Sequence, residues 1–340
     1  MPETTAAPRP AERAAGRRGS AADAARRSRE VLLNYVGVLT VLGALVVIFA
    51  VKQPRFFTVE NFWNVLDGSS VLLIVSVGLT FTMLVGGFDL SIGGVLALGG
   101  VFLWALLGWG VPLGLAVVIV VVAGALFGAT VTGLPIAVLD VSFFVVTLGV
   151  LIATRGIAFV ITDGEVKGLY EEETLRSIGN GRIGDVTYPV IIALVVFVLA
   201  VVVTRYTGYG RMLYAVGGNQ EAARLAGINV RMVRLSTYAV SAGLAAFAGV
   251  IEAGRLAAAS PDADQGIEFS AAAAALLGGT SFVGGIGSVI GTFLGVLFLG
   301  VLKNGLIIAS ISVYWQGVIT GGVLFASVLI DRLRRRRGVV

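Results

Sequence analysis

Long runs of apolar residues that lack charges recur along this chain, and they constrain its fold more than any other feature. A membrane-spanning helix needs ~20 apolar residues to cross a hydrocarbon core of ~30 Å. Since 57% of the residues are hydrophobic and 13% are charged, the chain cannot present a soluble surface. The sequence therefore predicts an all-α polytopic membrane protein with about ten transmembrane helices, some of them broken or short. The candidate spans are residues 31–51, 71–87, 91–109, 112–132, 137–161, 189–204, 235–254, 270–282, 285–303 and 306–330.

The residue types that the chain lacks exclude several kinds of chemistry. It contains no Cys and no His, which excludes disulfides, thiol catalysis and the zinc and haem sites built on these ligands. None of its three lysines, Lys52, Lys167 and Lys303, is followed by the Ser or Thr that completes a P-loop. Any ATP hydrolysis must therefore take place on another chain.

Most of the basic residues lie in three segments. Of the 25 Lys and Arg residues, seven lie in residues 1–30, five in residues 204–235 and five in residues 332–340. By the positive-inside rule, these three segments face the cytoplasm. Ten spans agree with this assignment, because an even number places both termini on the same side. The basic residues are therefore a topology signal, and we expect no nucleic-acid partner.

The same reasoning predicts how the chain is organised. Residues 1–30 lack an apolar period and form a disordered, basic cytoplasmic arm, while residues 332–340 form a basic cytoplasmic tail. A transmembrane domain occupies residues 31–331. It carries an external loop over residues 163–188 and a cytoplasmic loop over residues 205–234.

The first segment with unusual chemistry covers residues 86–94, which read Gly-Gly-Phe-Asp-Leu-Ser-Ile-Gly-Gly. Paired glycines at both ends weaken a helix, while Asp89 and Ser91 are residue types that cap the helix that follows. The pattern predicts a broken helix of the kind that transporters place along a substrate path. Two interpretations of Asp89 stay open: it only caps a helix near the cytoplasmic boundary, or it lies along a translocation path.

The second segment, residues 210–228, predicts a two-turn helix outside the membrane. Asn219 is a good N-cap, Glu221 lies in the first turn and Gly227 suits the C-terminal stop. So short a helix is marginal alone in water, so we expect another surface to hold it. That surface is either a partner's groove or the helix's own bundle. A small apolar ridge at three-residue spacing offers the contact: Ala222, Leu225 and Ile228.

The third segment lies between residues 266 and 292. Its apolar stretch over residues 270–282 is too short to cross a membrane comfortably, and glycine pairs at 278–279 and 284–285 bound it. Such an interruption predicts a discontinuous helix that lines a cavity.

Ionisable residues within apolar spans are functional candidates by default. Asp140, Glu252 and Arg255 are of this kind, but all three lie near span ends, where their polar groups can reach the interface. Glu252 and Arg255 are three residues apart, a spacing at which they pair on one helix face. A structural role is therefore the simpler interpretation. The spans show no mid-membrane carboxylate relay of the kind that a proton-coupled pump needs.

With these segments, the chain resembles the membrane permease subunits of ATP-binding-cassette sugar importers of the ribose, xylose and galactose class. The matching pieces run in the family's order and cover most of the chain from residue 56 to residue 331. They are residues 57–66 (FTVENFWNVL), 86–93 (GGFDLSIG), 210–228, and 278–291 with its continuation to 305.

The resemblance implies a ten-span fold in a bacterial cytoplasmic membrane, surrounded by lipid. It implies a second permease copy, in a homodimer or a heterodimer with a paralogue. It also implies cytoplasmic ATPase subunits, which bind ATP and Mg²⁺, and an extracytoplasmic sugar-binding protein. The expected function is to form the translocation path for a monosaccharide, such as ribose or xylose, that the binding protein delivers. The resemblance thus implies that this chain is not itself an enzyme and carries no cofactor.

The resemblance also implies roles for individual residues. Residues 219–228 are expected to form the coupling helix that docks into the ATPase. The candidate coupling residues are Gly217, Gly218, Asn219, Glu221, Ala222, Ala223, Arg224, Leu225, Gly227 and Ile228. The candidate residues of the translocation path are Phe88, Asp89, Ser91, Phe143, Thr147, Glu268, Thr280, Ser281 and Asn304.

The chain departs from the family pattern at a few positions, which leaves other cargoes open. Thr132 and Ser142 stand where the family usually has Asn and Pro, and Ser270 replaces an acidic residue often found after Glu268. The first alternative is the same type of importer with another small solute, namely a nucleoside, a branched-chain amino acid or a furanose signal. Two other classes are an ion-coupled secondary transporter or channel, and a scaffold without transport activity.

Overall fold

The computed structural model describes residue 36 and residues 38–336, and this part of the chain is mainly helical. The predicted arm over residues 1–30 lies outside the described residues, as do residues 337–340 of the predicted tail. The helices are α1 (Val38–Lys52), α2 (Val59–Leu84), α3 (Ile92–Gly108), α4 (Leu113–Ala137), α5 (Phe143–Thr162), α6 (Glu173–Asn180), α7 (Tyr188–Tyr206), α8 (Gly208–Gly218), α9 (Gln220–Leu225), α10 (Val230–Leu256), α11 (Ile267–Leu277), α12 (Val289–Ile308) and α13 (Val313–Arg336).

Six of these helices, as far as the chain is described, are long and apolar enough to cross a membrane: α2, α4, α5, α7, α10 and α12. Four further apolar helices are shorter, namely α1, α3, α11 and the Tyr314–Leu329 part of α13. The predicted class, a helical protein with several membrane spans, is confirmed. The four shorter helices correspond to four of the predicted spans.

The helix boundaries correct two of the predicted spans. α2 begins at Val59 rather than at residue 71, because the Thr58 hydroxyl caps it by accepting a 3.1 Å hydrogen bond from the Asn61 N–H. α12 does not end at Lys303 but continues to Ile308. The predicted break after Lys303 is therefore wrong. Lys303 and Asn304 face a cavity inside the bundle instead of ending the helix.

The long helix α10 forms the centre of the bundle, where it packs against α2, α3 and α4. Small residues allow this close approach, as is usual between membrane helices. A Cβ at Gly249 would collide with the carbonyl oxygen of Leu96, and a Cβ at Gly99 would lie 2.8 Å from the carbonyl oxygen of Ala246. In contrast, α4, α5 and α7 are largely exposed and form the periphery.

Short strands, which the sequence analysis did not predict, organise one end of the bundle. β1 (Lys167–Gly168) pairs antiparallel with β4 (Ala258–Ala259), and β2 (Arg182–Ile183) pairs with β3 (Val186–Thr187). We call this end, built from residues 163–188 and 257–266, the connector end. The opposite end, built from residues 205–234, we call the Arg-rich end.

The Asn180 side chain helps to hold residues 163–188, which we call the connector, to the bundle. The Asn180 amide of α6 donates hydrogen bonds of 3.1 Å and 3.2 Å to the carbonyl oxygens of Gly254 and Arg255, in the last turn of α10. Carbonyls in the last turn of a helix lack the regular intrahelical donor. Asn180 supplies a donor to both, and the Gly254 carbonyl oxygen also accepts a 3.4 Å hydrogen bond from the Ala257 N–H. Because α10 is 27 residues long, the connector end and the Arg-rich end lie ~40 Å apart.

Candidate functional site

The three unusual sequence segments meet at the Arg-rich end. The Gly285 N–H donates a 2.9 Å hydrogen bond to the carbonyl oxygen of Leu84, at the end of α2. A Cβ at Gly217 of α8 would collide with the same carbonyl oxygen and with the Gly285 nitrogen. Gly284 has a φ of 92°, and its Cβ position lies 2.8 Å from the Gly86 Cα and 3.1 Å from the Gly217 Cα. Only glycine allows the three backbones to come this close.

Helix α8 has further contacts with the surrounding bundle. The Tyr214 hydroxyl donates a 3.0 Å hydrogen bond to the carbonyl oxygen of Gly287. The Tyr209 and Ser236 hydroxyls, on α8 and α10, are 2.7 Å apart, and the Tyr209 ring stacks on Phe81 of α2. Burial raises the pKa of Tyr209, and the Ser236 hydrogen bond opposes that shift, so the phenol stays protonated near neutral pH. Helix α8 is thus fixed to α2, to α10 and to the 278–288 segment.

The predicted helix α9 follows α8 directly. The Asn219 side chain accepts a 2.9 Å hydrogen bond from the Ala222 N–H, so the predicted N-cap is confirmed. Gly227 has a φ of 83° just beyond the last turn, as the predicted stop requires. Glu221 and Arg224 form an exposed ion pair of 2.7 Å. Only Asn219, in an extended conformation, separates α8 from α9.

The faces of α9 divide the predicted coupling residues. Leu225 is 80% exposed and Ala222 is also exposed, whereas Ile228 packs partly against the bundle. Ala223 is only 4% exposed and faces its own bundle. The apolar ridge is therefore split, and two of its three members remain free of the bundle. Ala223 cannot offer its side chain to a partner in this arrangement.

Asp89 lies completely buried in the break between α2 and α3. Its Oδ1 accepts hydrogen bonds from the Ser91 N–H at 3.0 Å and the Ser91 hydroxyl at 2.5 Å. The predicted capping role of Ser91 is wrong, because its backbone is already helical and its hydroxyl donates to Asp89 instead. Phe88 packs on Phe282 with ring centroids 5.1 Å apart. This contact is a second link between the break and the 278–288 segment.

Glu268 and Arg155 meet at the beginning of α3. A Cβ at Gly93 would collide with the Glu268 carboxylate, and the Arg155 guanidinium lies 3.4 Å from the Gly93 carbonyl oxygen. The Glu268 Oε2 and the Arg155 Nη1 are buried and have no hydrogen-bond partner among the described residues. Arg155 was not among the predicted site residues. Its only sequence signal was a lone charge within an apolar span.

The predicted path residues are not all brought together in one place. Thr147 is buried in α5, with Phe143 partly buried one turn earlier, and Thr280 and Ser281 lie in the 278–288 segment. Asn304 lies 15 residues after the start of α12 at Val289, ~22 Å along the helix from the Arg-rich end. The nine candidates therefore do not form one site. Five of them, Phe88, Asp89, Ser91, Thr280 and Ser281, belong to the two segments that meet near the Arg-rich end.

Asn304 instead lines a cavity of about 400 Å³ near the connector end. We call this space the connector-end cavity. Four of its lining residues are charged: Glu252, Arg255, Asp264 and Lys303. For Glu252 and Arg255 the sequence favours a structural role, and Asp264 and Lys303 are not among the predicted site residues. The signal that could have found them is that α10 and α12 each carry charges within two turns of the same end of the bundle.

Arg255 is held in place within this cavity. Its guanidinium donates to the carbonyl oxygen of Asp67 at 2.9 Å and to the Ser70 hydroxyl at 3.2 Å, and it lies 3.3 Å from the Asp67 carboxylate. The predicted pair with Glu252 exists, but at a longer 3.8 Å. Burial raises the pKa of Asp264, while the positive charges of Lys303, Arg255 and Arg155 oppose this shift.

Comparison with known proteins places these features in a family. Residues 61–328 match the family described as a branched-chain amino acid transport system permease component. The ribose import permease protein of Escherichia coli strain K12 is 39% identical over 300 residues, which cover 87% of this chain and 93% of that relative. The ribose import permease protein of Bacillus subtilis strain 168 is 36% identical over 307 residues, covering 88% and 95%.

A third relative is the galactose/methyl galactoside import permease protein of Escherichia coli strain K12. It is 33% identical over 334 residues, which cover 91% of this chain and 98% of that relative. No solved structure is a significant match to the chain. The matched range includes all three glycine-rich segments and every residue that lines the connector-end cavity, so the predicted resemblance is confirmed. This chain belongs to the family of branched-chain amino acid transport system permease components.

Proposed function

We propose that this chain is the membrane permease subunit of an ATP-binding-cassette importer and that it forms the translocation path for a monosaccharide. The names of its relatives support this cargo, since they include import permeases for ribose and for galactose and a transport permease for D-allose. The chain itself transports and does not catalyse a reaction. ATP and Mg²⁺ bind to a separate ATPase subunit, and a solute-binding protein delivers the sugar.

The observation that carries this proposal is the contact of Leu84, Gly217 and Gly285. A coupling helix is useful only if its movement reaches the translocation path. Helix α9 continues from α8, and α8 leaves no free space against the end of α2 or the 278–288 segment. When the ATPase closes and displaces α9, both interrupted segments must shift. ATP binding and hydrolysis then change the populations of inward-open and outward-open states.

The proposed topology has ten spans, formed by the six long apolar helices and the four shorter ones. Both termini, α8 and α9 face the cytoplasm, and the connector end faces outward. Support comes from the charge distribution, because 17 of the 25 basic residues lie in the three segments assigned to the cytoplasm. Residues 31–331 then form the permease domain in a bacterial inner membrane.

The roles of the predicted site residues follow from this orientation. The exposed side of α9, with Ala222, Arg224 and Leu225, contacts the ATPase, while Gly217 fixes α8 to the bundle. Phe88 and Asp89 belong to the part of the path that moves. The exposed apolar faces of α4, α5 and α7 contact lipid and a second permease copy. The solute-binding protein docks at the connector end.

The direct test is uptake by a reconstituted complex. The tagged chain is purified from its native membranes with the ATPase and solute-binding protein that accompany it, and is placed in liposomes. Uptake of radiolabelled ribose, xylose, galactose and allose is measured with and without ATP and Mg²⁺. An ATPase variant that binds but does not hydrolyse ATP is the matched control.

We expect sugar uptake that requires ATP, Mg²⁺ and the binding protein, and that stops with the hydrolysis-deficient ATPase. Uptake by the permease chain alone, driven by an ion gradient without ATP, would overturn the proposal. Uptake of a nucleoside or an amino acid but of none of the sugars would keep the importer assignment and reject the cargo.

A further inference from the structure

We infer that the connector-end cavity is a binding site on the permease itself for a neutral polyhydroxylated solute, with Asp264 and Asn304 accepting hydrogen bonds from its hydroxyl groups. This inference rests on the proposed function and goes further, because it assigns part of the sugar selectivity to this chain. The alternative is a permease without selectivity of its own, which transports any solute that the binding protein delivers.

The first observation is a pair of acceptors that lack donors. The Oδ2 of Asp264 and the Oδ1 of Asn304 are buried, and neither has a hydrogen-bond partner in the part of the chain that the structure describes. Both residues line the cavity. A buried acceptor without a partner is unfavourable, so a donor in the cavity would stabilise each of them. Hydroxyl groups of a sugar, or the water that a sugar displaces, are donors of the right kind.

The second observation concerns the cations of the cavity. Arg255 is committed to Asp67 and Ser70. Lys303, in contrast, forms no ion pair with any acid of the described chain. Its ammonium group can therefore donate to a sugar oxygen. The site thus combines two free acceptors with one free donor, which matches the dual character of a hydroxyl group.

The charge of the cavity indicates a neutral solute. Its lining carries two acids, Glu252 and Asp264, and two cations, Arg255 and Lys303. The formal charges of these four groups sum to zero, which suits a neutral solute. The volume of about 400 Å³ lies within the range of small-molecule sites, which have a few convergent polar groups among apolar ones. Apolar lining residues suit the C–H faces of a sugar ring: Val65, Val71, Leu72 and Leu299.

The backbone around the site is well defined. Asp264 has a φ of 45°, a left-handed conformation that is uncommon outside glycine, and its carbonyl oxygen accepts a 3.0 Å hydrogen bond from the Ile267 N–H at the start of α11. This hydrogen bond fixes the backbone of Asp264 just before the first turn of α11. Ser270 lines the same cavity, so its side chain adds a further hydroxyl group to the proposed binding site.

The test uses two variants and a matched control. Asp264→Asn removes the charge, and Asn tolerates the left-handed backbone. Asn304→Leu removes the amide acceptor and keeps the number and branching of the side-chain heavy atoms. Asp185→Asn makes the same chemical change as the first variant at an exposed position of the connector, outside the cavity. The thermal unfolding midpoint of each variant is measured first, to identify any loss of folding.

The first measurement is direct binding, which needs no ATPase. Millimolar ribose is added to the full chain in nanodiscs, and contact is detected by saturation-transfer difference NMR. We expect a signal with the wild type and with Asp185→Asn, and at least a fivefold weaker signal with Asp264→Asn and Asn304→Leu. Equal signals from all four proteins, or none from the wild type, would overturn the inference.

The second measurement is uptake of ribose and of its monodeoxy analogues by the complete importer. If Asn304 accepts a hydrogen bond from one hydroxyl, the wild type distinguishes ribose from the analogue that lacks this group, and Asn304→Leu does so at least fivefold less. The binding protein is unchanged, so this ratio isolates the contribution of the permease. An unchanged ratio for every analogue would contradict the inference.

The two measurements separate the inference from the proposed function. If the isolated chain binds ribose but the complex shows no ATP-driven uptake, the inferred binding site is supported and the proposed importer function is rejected. If all variants take up sugar with the selectivity of the wild type, the proposed importer function is supported and the inferred binding site is rejected.

Discussion

Gly217 lies against the carbonyl oxygen of Leu84 so closely that no Cβ atom fits between them. The two residues are far apart in the sequence, and each belongs to a different segment of unusual composition. Their contact joins the helix that precedes α9 to the end of α2. The Gly285 N–H completes it by donating to the same carbonyl oxygen at 2.9 Å.

Substitution of Gly217 by Ala is therefore expected to separate these backbones. The added Cβ meets backbone atoms on both neighbouring segments, which cannot rotate away as a side chain can. Overpacking of this kind costs about 1–3 kcal/mol. We expect a lower thermal unfolding midpoint of the purified permease and weaker stimulation of the ATPase by the binding protein.

The adjacent glycine is the matched control for this prediction. The Cβ position of Gly218 has no heavy atom within 4 Å. Because alanine favours a helix over glycine by about 1 kcal/mol, Gly218→Ala should keep or raise the unfolding midpoint. If both variants unfold at the same temperature, the close packing at Gly217 does not contribute to the stability of the permease.

The exposed side of α9 predicts a second phenotype. Leu225 is 80% exposed, so Leu225→Asp should leave the unfolding midpoint within 1 °C, since surface substitutions usually change stability by no more than about 0.5 kcal/mol. If the ATPase binds this face, affinity purification of the tagged variant should recover at least tenfold less ATPase than purification of the wild type. Full recovery of the ATPase would show that it docks elsewhere.

A charge at Ala223, on the buried side of α9, should have a different effect. Ala223 is buried against the bundle, so Ala223→Arg places a cation where it has no partner. We expect this variant to lower the unfolding midpoint and the yield of folded permease as well as the recovery of the ATPase. The contrast between the two variants separates loss of docking from loss of folding.

The Arg255 cluster predicts a measurable loss of stability. Arg255→Met removes a hydrogen bond to the Asp67 carbonyl oxygen, one to Ser70, and the ion pair to the Asp67 carboxylate. Because these groups are only partly exposed, we expect the free energy of unfolding to fall by about 2 kcal/mol. Arg224→Met breaks an ion pair that is fully at the surface and should cost less than about 0.5 kcal/mol. Equal losses would contradict this account.

The absence of cysteine makes the proposed orientation directly testable. Tyr170→Cys introduces a single thiol on the exposed connector, and Leu225→Cys introduces one on α9. A membrane-impermeant maleimide should label the first variant in intact cells and the second only after the membrane is opened. The reverse pattern would invert the topology, and labelling of both in intact cells would reject the proposed number of spans.

Local features of the fold could be predicted well from the sequence. Apolar runs predict membrane helices because partition between water and lipid depends on the residues of one segment. The Asn219 cap and the Gly227 stop were correct, because each depends on a few neighbouring residues. The Ser91 cap was wrong for a related reason: the nearby Asp89 carboxylate competes for its hydroxyl.

The candidate site could be predicted only in part. The glycine-rich segments were recognised as unusual, but their mutual contact was not, because it depends on how α2, α8 and the 278–288 segment pack. The end of α12 was misplaced because Lys303 and Asn304 looked like the boundary of a span. They are tolerated inside the helix because a polar cavity faces them.

The sequence by itself determined that this chain is a helical membrane protein, where its unusual segments lie and how its short helix α9 is capped, because each of these follows from interactions among nearby residues. The tertiary structure alone decided that Leu84, Gly217 and Gly285 touch, and that Asp264 and Asn304 face one cavity. Such contacts depend on the angles and distances at which helices pack. Those follow from the fit of many side chains at once and not from any single segment.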